Sequence, residues 1–269
     1  MNISLLSHKS PSKIEIEDAF FISDDCQTFG VFDGVTPMNG MLFANGHNGA
    51  FLASHMLAST LGLPLYKDKS LIEWLVESNA LLLQRMESAA VKIEDRHLRW
   101  ASCAAVLRID GGRAAFVQCG DCMILKEDFN GLVTPLTVNS VEGISERARH
   151  FRESKRAEGL AIPPESWFLD HPHERMKDHR QLANRSGGYS VVNGDRELID
   201  FIQAGEADLK DIKSLLLISD GFFHPEWSLQ EVHKEISKIG LESYAEALRY
   251  MEHMNGLQHD DMTGIYIQF

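Results

Sequence analysis

Thr28–Pro37, TFGVFDGVTP, is the stretch on which the reading of the fold turns. A β-branched and aromatic run, Phe29 to Phe32, stops at Asp33-Gly34, so a carboxylate stands where a strand ends and the backbone turns. Alone, strand-Asp-Gly reads as an ordinary turn. Its weight comes from recurrence. SLLLISDG, Ser214 to Gly221, is a second apolar run closed by Asp-Gly; Glu17-Asp18 precedes AFFI, Gly120-Asp121 follows AAFVQC, and Asp260-Asp261 stands ahead of TGIYIQF. Packing a core requires no carboxylate at the end of any of these strands.

Carboxylates with a free backbone carbonyl are hard oxygen donors, the ligand type of Mg²⁺ and Mn²⁺. Glu17, Asp18, Asp33, the Gly34 carbonyl, Asp121, Asp220 and Asp260 make up such a set if the strand ends converge. Two ions about 3.5–4 Å apart, sharing Asp33 and a water, would then generate a hydroxide near neutral pH to attack phosphorus. The alternative is that each acid is simply solvated in its turn.

The chain has 269 residues, 44% of them apolar, enough for a substantial core. Its formal charge of −13 argues against nucleic acid and anionic membrane surfaces as partners. The start, MNISLLSHKS, is too short in apolar residues for a signal peptide, and no run is long enough to span a bilayer. Four cysteines, Cys26, Cys103, Cys119 and Cys122, are too few for a disulfide framework, so a cytoplasmic, reducing setting is expected.

In order, Ile14 to Asp18 alternates as a half-buried strand does and Phe20 to Ile22 continues it. A loop rich in Asn and Gly follows Asp33-Gly34. The pattern then predicts helices over 49–61 and 71–98, the second capped by Asp68 or Ser70. Strands at 102–109, 113–118, 123–126 and 132–133, parted by Gly111-Gly112 and Asn130-Gly131 turns, read as an antiparallel meander. A helix is expected over 141–157, an irregular flap over 158–185, strands at 187–192 and 214–219, and helices capped by Ser228 with Glu231 and by Ser243 with Glu246. The final strand is 263–269. This order fits an α+β fold better than a doubly wound parallel sheet, with no boundary dividing residues 1–269.

Five pieces in this order resemble the metal-dependent protein serine/threonine phosphatases, the type 2C or PPM family. They are KIEIEDAFF, FGVFDGVTP, SCAAVLRIDGGRAAFVQCGDC followed by LTVNS, LLLISDGFF, and HDDMTGIYI, and they run from Lys13 to Ile267. The resemblance implies a four-layer αββα fold, a central antiparallel β-sandwich with helices on both sides. It implies a single catalytic domain over 1–269, with a flap subdomain at about 140–185. Asp33 would bridge two Mg²⁺ or Mn²⁺ ions, with the Gly34 carbonyl on one of them and Asp220 and Asp260 completing the first ion's ligands. Glu17 would hold the second ion through water, beside Asp18; Asp121 would help Asp220 hold a weaker third ion. Lys13 stands where the family has its phosphate-binding arginine. The substrate implied is a phosphoserine or phosphothreonine on a protein, the enzyme is expected to be a monomer, and the nucleophile a metal-bridging hydroxide.

Three departures from the family pattern bear on function. Val35 replaces the histidine that serves many members as general acid, leaving His47 or a metal-bound water as the candidate proton donor. Lys13 offers a point charge instead of a bidentate fork. Asp261 replaces an asparagine. A catalytically weak binding or scaffold module on the same fold, and a hydrolase of small phosphate esters, are the competing readings. Cys119 and Cys122 read as buried thiols instead of a zinc or redox pair, His171, His173 and His179 as surface, Met251 and Met254–Leu257 as core or helix-end packing, and Arg147, Arg149, Arg152, Lys155 and Arg156 as a solvated basic face or a surface for an acidic partner.

Overall fold

The computed structural model describes residues 1–269. Ten strands form two five-stranded antiparallel sheets. One sheet holds β2 (Ala19–Ile22), β3 (Thr28–Gly34), β4 (Ser102–Asp110), β5 (Arg113–Cys119) and β8 (Gln203–Asp208), in that order. The other runs β1 (Asn2–His8), β10 (Met262–Gln268), β9 (Ile212–Ile218), β6 (Met123–Asp128) and β7 (Val133–Pro135).

Phe29, Val31, Leu107, Ile124, Leu215, Leu217, Ile265 and Ile267 fill the space between the sheets. β3, β4, β6, β9 and β10 are apolar on both faces because each is covered twice, once by the opposite sheet and once by helices. On one side α1 (Gly49–Leu61) and α2 (Leu71–Ser88) pack Trp74, Leu57 and Leu82 against Phe32, Val106 and Val117. On the other, α6 (Leu229–Ile239) and α7 (Leu241–Met254) lay Val232, Ile236, Tyr244 and Leu248 over Leu216, Ile218 and Tyr266. The expected four-layer αββα sandwich is what forms. No helix is long and apolar enough to cross a membrane.

Several local expectations are corrected. Residues 14–18 are not a strand: Ile14 is 100% exposed, and the segment is pulled aside by hydrogen bonds described below. β1, at the very start, pairs along its whole length with β10, and β8 was not expected either. α2 ends at Ser88, and its cap is a reciprocal Ser70–Glu73 capping box. The segment 158–185 is mostly ordered helix, α4 (Glu165–Asp170) and α5 (Pro172–Gln181), following α3 (Ile144–Ala157). Residues 187–192 make only isolated bridges, at Tyr189 and Val192. Ser243 lies inside α7, which starts two residues earlier after Gly240, whereas the Ser228–Glu231 capping box opens α6 as expected. The expected meander is split: β4 and β5 are in one sheet and β6 and β7 in the other, so the chain changes sheets at Gly120-Asp121-Cys122. Cys119 accordingly faces the helix-side core and Cys122 the core between the sheets, which separates the two thiols.

Candidate metal centre

The acids singled out from the sequence come from five places in the chain. Asp33 is the penultimate residue of β3, Asp220 follows β9 by two residues, Asp260 leads into β10, Glu17 and Asp18 lead into β2, and Asp121 marks the change of sheets. Pairing of β10 with β9, and the bond from Ser219 N–H to Thr263 O at 2.9 Å, bring Asp220 beside the start of β10. Glycine makes the approach possible. A Cβ on Gly34 would lie 2.5 Å from Glu17 O and 2.6 Å from Ala50 O, and one on Gly221 would lie 1.9 Å from Asp261 O. Both Asp-Gly pairs are therefore where backbones meet, not simple turns.

Each acid is held by named groups. Glu17 takes the Thr36 hydroxyl on Oε2 and the Asn48 amide on Oε1, both at 2.6 Å, while the Ser54 hydroxyl donates to its backbone carbonyl at 2.5 Å. Asn48 also caps α1 through the Phe51 N–H, so the helix start and Glu17 share one side chain. Asp18 accepts from the Ser219 hydroxyl at 2.8 Å. Cys103 is the register partner of Asp33 and neighbours Asp121. Lys13 extends its ammonium among the acids, 2.8 Å from Glu17 Oε2, 2.5 Å from Asp260 Oδ1 and 3.3 Å from Asp261 Oδ2.

The charges do not balance. Burial, then the charges of Asp220, Asp18, Asp121 and Asp260, hold Asp33 well above the usual carboxylate range. Asp220 is raised in the same way by burial and by Asp121 and Asp260, and it stands within hydrogen-bonding reach of Asp33. Burial raises Asp121 as well, and pushes Asp18 up to about 7 with help from the Asp261 charge. Burial disfavours the Lys13 charge, but hydrogen bonds and attraction to Asp260 and Glu17 outweigh it, so its pKa lies above the ordinary lysine value. Asp18 Oδ1 and Asp220 Oδ1 are buried and accept from nothing.

Buried oxygens without donors, on acids that raise one another's pKa, are what a hard divalent cation would satisfy, and the donor set fits Mg²⁺ or Mn²⁺. No three His, Cys, Asp or Glu side chains are set at the spacing of a finished metal site. They form a convergent set of donors with one ammonium in their midst.

His47 lies outside this set. Its Nδ1 meets Glu15 Oε2 at 2.6 Å, and its ring stacks on Phe51 at 3.8 Å. Val35 packs against the core between the sheets. The basic run of α3 is only in part a solvated face: Arg149 is exposed, but Arg152 is 3% exposed and bound to Glu165 and Asp178, and Arg156 binds Glu165 at 2.7 Å. His171 and His173 are exposed, the first stacked on Trp167. The holding groups Asn48, Ser54, Arg180 and Ser219 were not singled out from the sequence; only Asn48, a cap residue before a helix, carried a local signal. Arg180 of α5 donates to Thr36 O at 2.5 Å, tying that helix to the loop residue whose hydroxyl holds Glu17.

The sequence model of protein phosphatase 2C matches residues 8–259. No curated protein matches the chain in sequence. Among solved structures, the serine/threonine phosphatase Stp1 from Staphylococcus aureus superposes with a TM-score of 0.62 at 16% identity, over 99% of this chain and 94% of that one. The Mycobacterium tuberculosis serine/threonine phosphatase PstP/Ppp gives 0.61 at 16% identity, covering 100% and 98%. The catalytic domain of PstP in complex with two manganese ions gives 0.60 at 14% identity, covering 98% and 96%.

Proposed function

The chain belongs to the protein phosphatase 2C family, and from that membership we propose that it is a metal-dependent protein serine/threonine phosphatase. The observation that carries this reading is the cluster of Asp33, Asp220, Asp18 and Asp121, acids wholly or half buried whose pKa values are raised and which leave two oxygens without a donor. Asp33, Asp220 and Asp260 would hold one ion and Asp33 with Glu17 the second, the Gly34 carbonyl serving one of the two and Asp18 lying behind Glu17; Asp121 with Asp220 would hold a third. When bound, such ions lower the pKa of coordinated water and supply the nucleophile for phosphoester hydrolysis. PstP, of similar fold, is described with two manganese ions, which supports a reading with bound metal.

The chain's own groups would do the rest. Lys13 places a positive charge at the cluster, where the dianionic phosphoryl group of a phosphoserine or phosphothreonine would sit. Thr36 and Asn48 fix Glu17 so that its carboxylate does not swing when charge arrives. Helices α3 to α5 would form the flap of a single catalytic domain; the bond from Arg180 to Thr36, whose hydroxyl holds Glu17, supports a flap beside the approaching phosphoprotein. The four unpaired cysteines accord with a cytoplasmic setting.

The test is hydrolysis of a phosphothreonine peptide and of an aryl phosphate with Mn²⁺, comparing the wild type with D33A and D220N. Loss of turnover in both variants supports the reading, and equal rates in all three reject it. The engagement of Lys13 by three carboxylates favours, as second reading, a slow binding module on this fold. Tight Mn²⁺ binding with no turnover of either substrate would select it.

A further inference from the structure

Two of the departures from the family pattern, Lys13 in place of arginine and Asp261 in place of asparagine, touch each other. Lys13 Nζ lies 3.3 Å from Asp261 Oδ2, across 248 positions of sequence. Asp261 is 1% exposed, and its carboxylate accepts three hydrogen bonds. Ser10 N–H donates to Oδ1 at 2.7 Å, Glu17 N–H donates to Oδ2 at 2.6 Å, and the Lys13 ammonium completes the set. Ser10 and Glu17 flank Lys13 in sequence, so one carboxylate grips the loop on both sides of the lysine and the lysine itself.

An asparagine cannot do this. It offers one acceptor oxygen and an NH₂ group, and here the NH₂ would face a backbone N–H or an ammonium, donor against donor. A lysine needs more help than an arginine, because its ammonium has no planar fork to fix its direction and its stem is flexible. We infer that Asp261 is the positioning residue of Lys13, and that the two departures are one compensated change. The carboxylate sets the ammonium between Glu17 and Asp260, so that a point charge fills the place of a fork. This deepens the reading of Lys13 as the phosphate-binding group and rests on it. It also gives Asp261 a role distinct from that of Asp260 beside it, whose side chain faces the cluster and accepts the Asp261 N–H at 2.7 Å.

The experiment is calorimetric binding of inorganic phosphate to the Mn²⁺-loaded protein, for the wild type, K13M, D261N, K13M/D261N and K13R/D261N. Mn²⁺ affinity and thermal melting are recorded for each. The expected result is that K13M and D261N each weaken phosphate binding about tenfold, that the double variant K13M/D261N is no weaker than K13M alone, and that K13R/D261N recovers most of what D261N lost. Multiplying losses in K13M/D261N, near a hundredfold, would overturn the inference, as would unchanged phosphate binding in D261N. If K13M itself binds phosphate like the wild type, the phosphate-binding reading of Lys13 fails and the inference falls with it. That outcome differs from the case in which K13M matters and D261N does not. Should D261N not fold, D261S keeps one acceptor without the charge and is held to the same comparison.

Discussion

Two regions of this molecule use the same residue types in opposite ways. In helices α3 to α5, the proposed flap, Arg152 is buried with its guanidinium on Glu165 at 2.5 Å and on Asp178, and lies 4.3 Å from the centre of the Phe168 ring. Its hydrogen bonds, the largest influence, pull Glu165 down to about 2. At the sheet ends the acids face one another, and burial with mutual repulsion holds Asp33 and Asp220 well above their ordinary range. The flap's charges are matched to stabilise a small helical unit. The cluster's charges are mismatched within the chain, and a fold keeps such a mismatch where something from outside relieves it.

The largest effect should come from breaking the mismatch. Asp33→Asn removes one charge from the cluster and is expected to lower Mn²⁺ affinity and turnover more than about 100-fold. In chelator it should raise the melting temperature by about 2–4 °C, because repulsion is relieved. Titration calorimetry and thermal melting check the two halves. A variant that melts lower in chelator would count against mutual repulsion at this end.

Arg152→Met tests the matched end. It leaves Glu165 and Asp178 facing an apolar stem, and since both acids remain partly solvated the expected cost is about 2–3 kcal/mol by urea unfolding. Mn²⁺ affinity should stay near the wild-type value, because no cluster ligand is touched. Loss of metal binding would show that the flap and the cluster are not separable.

The pH dependence should then distinguish metal-free from metal-loaded protein. Asp18, Asp33, Asp121 and Asp220 have folded pKa values above their unfolded ones, so folding takes up protons and this contribution to stability is full at low pH. It is lost as pH rises from near 4, and for Asp18 through about 7. The metal-free protein should therefore lose stability as pH rises from about 4 toward 7, and the rise in melting temperature produced by Mn²⁺ should grow over the same interval, since the ion binds the deprotonated acids. A metal effect that shrinks toward about pH 7 would contradict this. The smallest effect belongs to exposed pairs on α3: Arg149→Gln, which breaks contacts of 3.7 and 3.8 Å to Glu146 and Glu153, should change stability by less than about 0.5 kcal/mol.

The sandwich was legible because its strands are short apolar runs ending in acids, and α1 was legible from its periodicity and from the loop before it. β1 was not, because NISLLSH has mixed polarity and becomes a strand only by pairing with β10. β8, QAGEAD, is an edge strand with alternating exposure and no bulky side chain, which leaves little for a pattern to show. Residues 14–18 do carry an alternating pattern, yet the bonds of Glu17 and Asp18 to Thr36, Asn48, Asp261 and Ser219 override it. The cluster's acids could be named because Asp-Gly recurs. The contact of Lys13 with Asp261 could not, because nothing local joins residues so far apart in the chain.

The most direct test of the metal centre is the anomalous scattering of a crystal soaked in Mn²⁺. The account predicts two strong peaks flanking the Asp33 carboxylate, one bounded also by Asp220 and Asp260 and the other on the side of Glu17. A map with no peak among these four side chains, or with manganese only at surface carboxylates, would contradict it.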